Sequence, residues 1–138
     1  MSTNNKMISI VTGGGSGLGL SIAQKFVGAG IQTIIVGRNK EKLEKSAISL
    51  GSLCFAEPFD MTELSAIPKF VDTLTAKYGG IDILVNNAGI AHVGKADTTG
   101  EQDFDRVMNV NVKGVYNCIY SAIPQLRNSG GGVIINMA

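Results

Sequence analysis

The residues best placed by type and spacing to do chemistry are Thr12-Gly13-Gly14-Gly15-Ser16-Gly17-Leu18-Gly19, directly after the apolar stretch Ile8 to Val11. Glycines at 13, 17 and 19 are separated by three residues and then one. This is a looser form of the G-x-G-x-x-G spacing with which a strand hands over to a helix beside a pyrophosphate. Without a Cβ the backbone turns tightly, approaches a phosphate and lets the new helix pack on the sheet. Unpaired N–H groups of the helix's first turn, together with its dipole, then favour an anion. β-rich residues before the run and helical periodicity after it argue against a plain flexible loop. Thr12, Gly13, Gly15, Ser16, Gly17, Leu18 and Gly19 are therefore candidate nucleotide-binding residues. A second candidate segment, Asn86-Asn87-Ala88-Gly89, follows the apolar run Ile81 to Val85. Its small residues would let a ribose and a nicotinamide pass close to the backbone, while Asn86 supplies side-chain hydrogen bonds.

To bring these segments together the chain must alternate strands with helices, and its pattern does so. Met7 to Val11 reads as a first strand, followed by a helix with Leu18, Ile22, Phe26 and Val27 at near-helical spacing and a stop at Gly28 and Gly30. Gln32 to Val36 is a second strand, and Asn39 caps a helix that presents Leu43, Ala47 and Leu50. Ser52 to Ala56 is a third strand. Thr62 to Tyr78 is helical, with Pro68 near the true start. Ile81 to Val85 is the fourth strand. Glu101 to Leu126 reads as one long helix with Phe104, Val107, Met108, Asn111, Val115, Ile119 and Ile123 along it, and Val133 to Met137 as the fifth strand. Each connection carries a helix, so the strands run parallel. Three wound one way and two the other give the order 3-2-1-4-5, a three-layer, doubly wound α/β sheet of the Rossmann type, with its crevice where strands 1 and 4 separate. One domain takes in residues 1–138.

Composition bounds the partners. Apolar residues at 44% and charged residues at 17% fit a globular domain with one core. A net charge of +1 without a basic, aromatic-laced patch gives nucleic acid no hold. Cys54 and Cys118 have neither metal-ligand nor disulfide spacing and read as reduced core thiols; no metal site is expected. No apolar run reaches the roughly 20 residues of a membrane span, and the polar start Met1 to Lys6 lacks a secretory stretch. A cytoplasmic protein without membrane contact is the expectation.

With Thr12-Gly13-x-x-x-Gly17-x-Gly19, Asp60, Asn86-Asn87-Ala88-Gly89 and Val110-Asn111-Val112-Lys113-Gly114 in order along all 138 residues, the chain resembles the short-chain dehydrogenase/reductase family, in its N-terminal, cofactor-binding portion. The resemblance implies that Asp60 meets the adenine through its side chain, with Met61 helping through its backbone. It implies that Asn87, Ala88, Gly89 and Val110 line the cofactor, and that Asn111 belongs to the catalytic tetrad, holding a water of the proton relay. The family continues into a serine and a Tyr-x-x-x-Lys, none of which is present here. Tyr78, Tyr116 and Tyr120 have Asp82, Tyr120 and Pro124 four residues on. The expectation is that these residues are part of a longer oxidoreductase and are inactive alone, with reversible hydride transfer between a nicotinamide cofactor and a carbonyl or alcohol substrate in the parent, a homodimer or homotetramer. The alternative is a non-catalytic nucleotide-binding module. A P-loop kinase lacks its Gly-Lys-Ser/Thr here, and a methyltransferase would want an acid at the end of strand two.

That strand ends in Gly37-Arg38-Asn39. An NAD site usually places a carboxylate there for the ribose 2′-hydroxyl. Gly37 offers none, whereas Arg38 offers a planar fork to a phosphate, so NADP is favoured over NAD, with Arg38 and Asn39 as contacts. His92 reads as a loop residue, Thr98 with Glu101 as a capping box, and Met108 as core filling.

Overall fold

A computed structural model describes residues 6–138; the polar start Met1 to Asn5 lies outside the described residues. The β-branched and aliphatic runs form β1 (Ile8–Thr12), β2 (Gln32–Gly37), β3 (Cys54–Pro58), β4 (Ile83–Asn86) and β5 (Val133–Asn136). They make one parallel sheet in the order β3-β2-β1-β4-β5, as the alternation requires. The central strand, β1, is buried along its whole length.

Period-two alternation sends successive side chains to opposite layers. Val11, Ile35 and Val85 pack with Ala23 of α1 (Gly17–Gly28) and with Leu43 and Ala47 of α2 (Lys40–Leu50). Ile10, Ile34 and Leu84 pack on the other side against Val71 and Leu74 of α3 (Ile67–Tyr78) and Cys118, Ala122 and Leu126 of α5 (Gly114–Asn128). Burying each such aliphatic side chain contributes on the order of 1.5–3 kcal/mol. The polar groups inside the sheet are paired: the Ser9 hydroxyl donates to Thr33 Oγ1 at 3.0 Å, and Thr33 donates to the Ile31 carbonyl at 3.0 Å.

Local chemistry corrects several boundaries. β3 runs on to Pro58 because it is an edge strand, where a missing N–H leaves no gap in the ladder. Thr62 to Tyr78 is not one helix: a 3₁₀ turn at Leu64–Ala66 precedes α3, and Pro68 sits in the first turn of α3, where its absent N–H costs nothing. The expected single helix from Glu101 to Leu126 is broken into α4 (Glu101–Met108) and α5 by a π turn at Asn109–Lys113. A π turn adds a residue to the helical count, so one apolar stripe cannot run unbroken through it. The stripe of α5 is buried, whereas Phe104 and Met108 of α4 are exposed; Met108 does not fill the core. The expected capping box is absent too. Gly100 is the N-cap of α4, and the Thr98 and Thr99 hydroxyls bond the Lys95 carbonyl instead.

Candidate functional site

At the carboxyl ends of β1, β2 and β4 a cleft of about 400 Å³ opens between the glycine loop, the start of α2, the segment after β3 and the segment after β4. The glycine loop owes its path to residues 13 and 17, with φ of +64° and +56°, where side chains are strained. The Gly14 N–H donates to the Val36 carbonyl at 3.1 Å, hooking the loop to β2. A Cβ at Gly19 would collide with the Gly13 carbonyl and lie 2.5 Å from Asn87 Nδ2. The second glycine segment thus comes within backbone distance of the first because residue 19 has no side chain.

The two segments singled out by sequence are joined by Thr12. Its Oγ1 accepts the N–H groups of Asn87 and Ala88, both at 3.0 Å, and donates to the Val85 carbonyl at 3.3 Å. Asn87 Nδ2 reaches back to the Gly13 carbonyl at 3.2 Å. Asn86 points the other way, donating to Asn136 Oδ1 at 2.8 Å and so tying β4 to β5.

Ser16 is the N-cap residue of α1, yet its hydroxyl makes no capping bond, and no acid stands in the helix's first turn. The first amides of α1 are left for an anion, and Ser16 lines the cleft. On the opposite rim, Gly37, Arg38, Asn39 and Lys42 face Asp60, Met61 and Thr62. The Thr62 hydroxyl and N–H both bond Asp60 Oδ1, at 2.7 and 2.9 Å. These bonds hold the Asp60 carboxyl below the usual carboxylate range against a smaller opposing effect of burial, with the Arg38 charge adding the least. Asn39 caps α2, its Oδ1 accepting the Lys42 N–H at 3.0 Å.

Asn111 sits on the exposed side of the π turn and closes a two-bond ring with Ile90: it accepts the Ile90 N–H at 2.9 Å and donates to the Ile90 carbonyl at 2.7 Å. Asn87, Ala88, Gly89, Ile90 and Val110 together form the remaining wall.

This arrangement, a glycine turn into an uncapped helix facing small residues at the end of the fourth strand, is a dinucleotide cradle. A family model described as short chain dehydrogenase matches residues 7–138. The chain belongs to the short-chain dehydrogenase family. Among relatives of this short-chain dehydrogenase chain, the NADP-dependent (R)-specific alcohol dehydrogenase of Lentilactobacillus kefiri is 36% identical over 135 residues, 95% of this chain and 53% of the relative. A short-chain dehydrogenase from Streptomyces avermitilis superposes with a TM-score of 0.90 at 30% identity, over 97% of this chain and 49% of that one. A 3-ketoacyl-(acyl-carrier-protein) reductase from Brucella melitensis, complexed with NADH, gives a TM-score of 0.89 at 35% identity, over 96% and 56%. The chain spans about half the length of the relatives it matches.

Of the candidate residues, the short-chain dehydrogenase cleft is lined by Gly13, Gly15, Ser16, Arg38, Asn39, Asp60, Met61, Asn87, Ala88, Gly89 and Val110. Thr12 lies behind it, buried as a hub, and Asn111 behind Ile90. Gly17, Leu18 and Gly19 form the first turn of α1 and do not line it; the Leu18 side chain is exposed. Sequence reasoning missed Lys42, Phe59 and Ile90. Lys42 could have been found from its place one turn after Arg38 on the same helix start, and Phe59 from its adjacency to Asp60.

Proposed function

We propose that the protein is an NADP-dependent oxidoreductase acting reversibly on a small carbonyl compound or the matching alcohol. The observation that carries this is the end of β2. The residue there is Gly37, with no carboxylate to meet a ribose 2′-hydroxyl, and the next residue, Arg38, lines the cleft. A guanidinium binds a phosphate bidentately and gives a bare hydroxyl much less. The bound nicotinamide supplies the hydride chemistry. The chain's own residues bind and orient: Ser16 and the first turn of α1, formed by Gly17, Leu18 and Gly19, receive the pyrophosphate. Asp60 and the Met61 backbone meet the adenine, and Asn87, Ala88, Gly89 and Val110 border the nicotinamide ribose. Asn39 contributes from the rim with the amide nitrogen that its cap leaves available. Thr12 serves the site by fixing Asn87 and Ala88. Asn111 is the proposed member of the catalytic tetrad, its side chain spent on Ile90 and its turn placed to hold a water of the proton relay. The exposed Phe104, Met108, Tyr116 and Tyr120 on α4 and α5 support a homodimer or homotetramer joined through these helices. A non-catalytic nucleotide-binding module draws no support from relatives that are dehydrogenases and reductases.

Titration of the full-length protein with NADPH and NADH tests the reading. NADPH is expected to bind at least about tenfold more tightly, a charge-assisted pair being worth about 1.5–3 kcal/mol. Equal affinity, or tighter NADH, refutes it. Gly17→Arg, which blocks the loop, is expected to abolish binding of both.

A further inference from the structure

We infer that Lys42 is a second specificity-determining cation of the cleft, contacting the cofactor's 2′-phosphate together with Arg38; this rests on the NADP reading. Among the residues lining the cleft, only Arg38, Lys42 and Asp60 are ionised side chains. Arg38 lies close enough to Asp60 for its charge to help hold that carboxyl in its ionised form. A phosphomonoester carries about −1.5 to −2 at pH 7, more than the single guanidinium of Arg38 neutralises. Lys42 makes the rim net positive.

The lysines of the same helix show that this placement is not ordinary surface decoration. Lys40 is 3.9 Å from Glu44 and Lys45 is 3.1 Å from Glu41, the i,i+4 pairs expected on a solvated helix. Among the described residues Lys42 has no carboxylate oxygen within 4.0 Å, and it is the lysine that lines the cleft. Its position is also electrostatically costly. Lys42 stands in the first turn of α2, where the helix dipole opposes a cation. A bound phosphate dianion offsets that cost, and the flexible four-carbon stem of Lys42 lets its ammonium meet one at the rim. Asn39 cannot take this part through its oxygen, which is committed to the Lys42 N–H at 3.0 Å.

The test is calorimetric titration of the full-length protein, wild type and Lys42→Met, with NADPH, NADH, adenosine 2′,5′-bisphosphate and 5′-AMP. Lys40→Met, which removes an equal charge from the same turn, and Lys42→Arg are measured beside it. Loss of one charge-assisted contact on an exposed rim predicts about tenfold weaker binding of the two 2′-phosphorylated ligands in Lys42→Met. NADH and 5′-AMP are expected to change by less than about twofold, Lys42→Arg to bind like wild type, and Lys40→Met to lose little. If wild type prefers the 2′-phosphate but Lys42→Met matches Lys40→Met, or loses all four ligands equally, the Lys42 assignment is overturned and the NADP reading stands. If wild type does not discriminate between 2′-phosphorylated and unphosphorylated ligands, or binds none of them, the NADP reading fails and Lys42 falls with it.

Discussion

Replacing Thr12 by valine keeps the shape of a side chain that is only 3% exposed and removes one oxygen atom. That oxygen accepts from the Asn87 and Ala88 amides and donates to the Val85 carbonyl. Two N–H donors at the end of β4 would lose their partner, each at a cost near the lower end of the about 1–3 kcal/mol for an unsatisfied buried group. The sum is about 2 kcal/mol. Thr12→Ser keeps the oxygen and loses a methyl group, about 1 kcal/mol. In urea, with a slope of about 1–3 kcal/mol/M, the valine variant should unfold about 0.7–2 M earlier than wild type. The same variant should bind NADPH more weakly even though Thr12 does not line the cleft, because Asn87 and Ala88 do. Valine and serine variants of equal stability, within about 0.5 kcal/mol, would refute the assignment of Thr12 as the hub joining the two segments.

Gly19→Ala should destabilise the protein by about 2–4 kcal/mol, from overpacking against the Gly13 carbonyl and loss of the Asn87 bond. Gly17→Ala, with nothing within 4 Å but a φ of +56°, should cost only about 1–2 kcal/mol, and denaturation of the pair measures the difference. Asn111→Ala should speed hydrogen exchange at the Ile90 amide, its acceptor at 2.9 Å being removed; unchanged protection would show that the ring with Ile90 does not hold this wall. Burial pushes the Cys54 and Cys118 thiols up to about 11, Cys54 against a smaller opposing backbone hydrogen bond. The thiolate is the reactive form, so alkylation of the folded protein should remain slow through pH 9 and rise only towards pH 11. Because the fold favours the neutral thiols, their contribution to stability is full below the ordinary thiol pKa and declines as pH rises from about 9 to 11. Labelling as fast in native protein as in urea at pH 8 would contradict that burial.

The sheet order and the meeting of the two segments at one cleft were legible because each rests on local signals. Glycines with positive φ, β-branched runs and amphipathic helices in alternation leave few ways to wind a parallel sheet. The break at Asn109–Lys113 was not legible, since the apolar residues from Phe104 to Ile123 recur closely enough to helical spacing to hide one extra residue. Nor was the role of Thr12. A threonine at a strand end reads as a ligand contact, and only the register of β1 against β4 shows that its hydroxyl faces the Asn87 and Ala88 amides. Lys42 escaped notice because a lysine in a lysine-rich helix start looks solvated until its neighbours are seen to be paired and it is not.

The hydrogen bonds of Thr12 divide the cleft into two mechanical parts. The glycine loop and the Asn87 segment are riveted to the central strand, so their spacing is inherited from the sheet and cannot change without unfolding it. Arg38 and Lys42 stand at the rim on either side of the Asn39 cap, outside that hydrogen-bonded set. Substitutions at Arg38 or Lys42 therefore leave the spacing of the glycine loop and the Asn87 segment untouched.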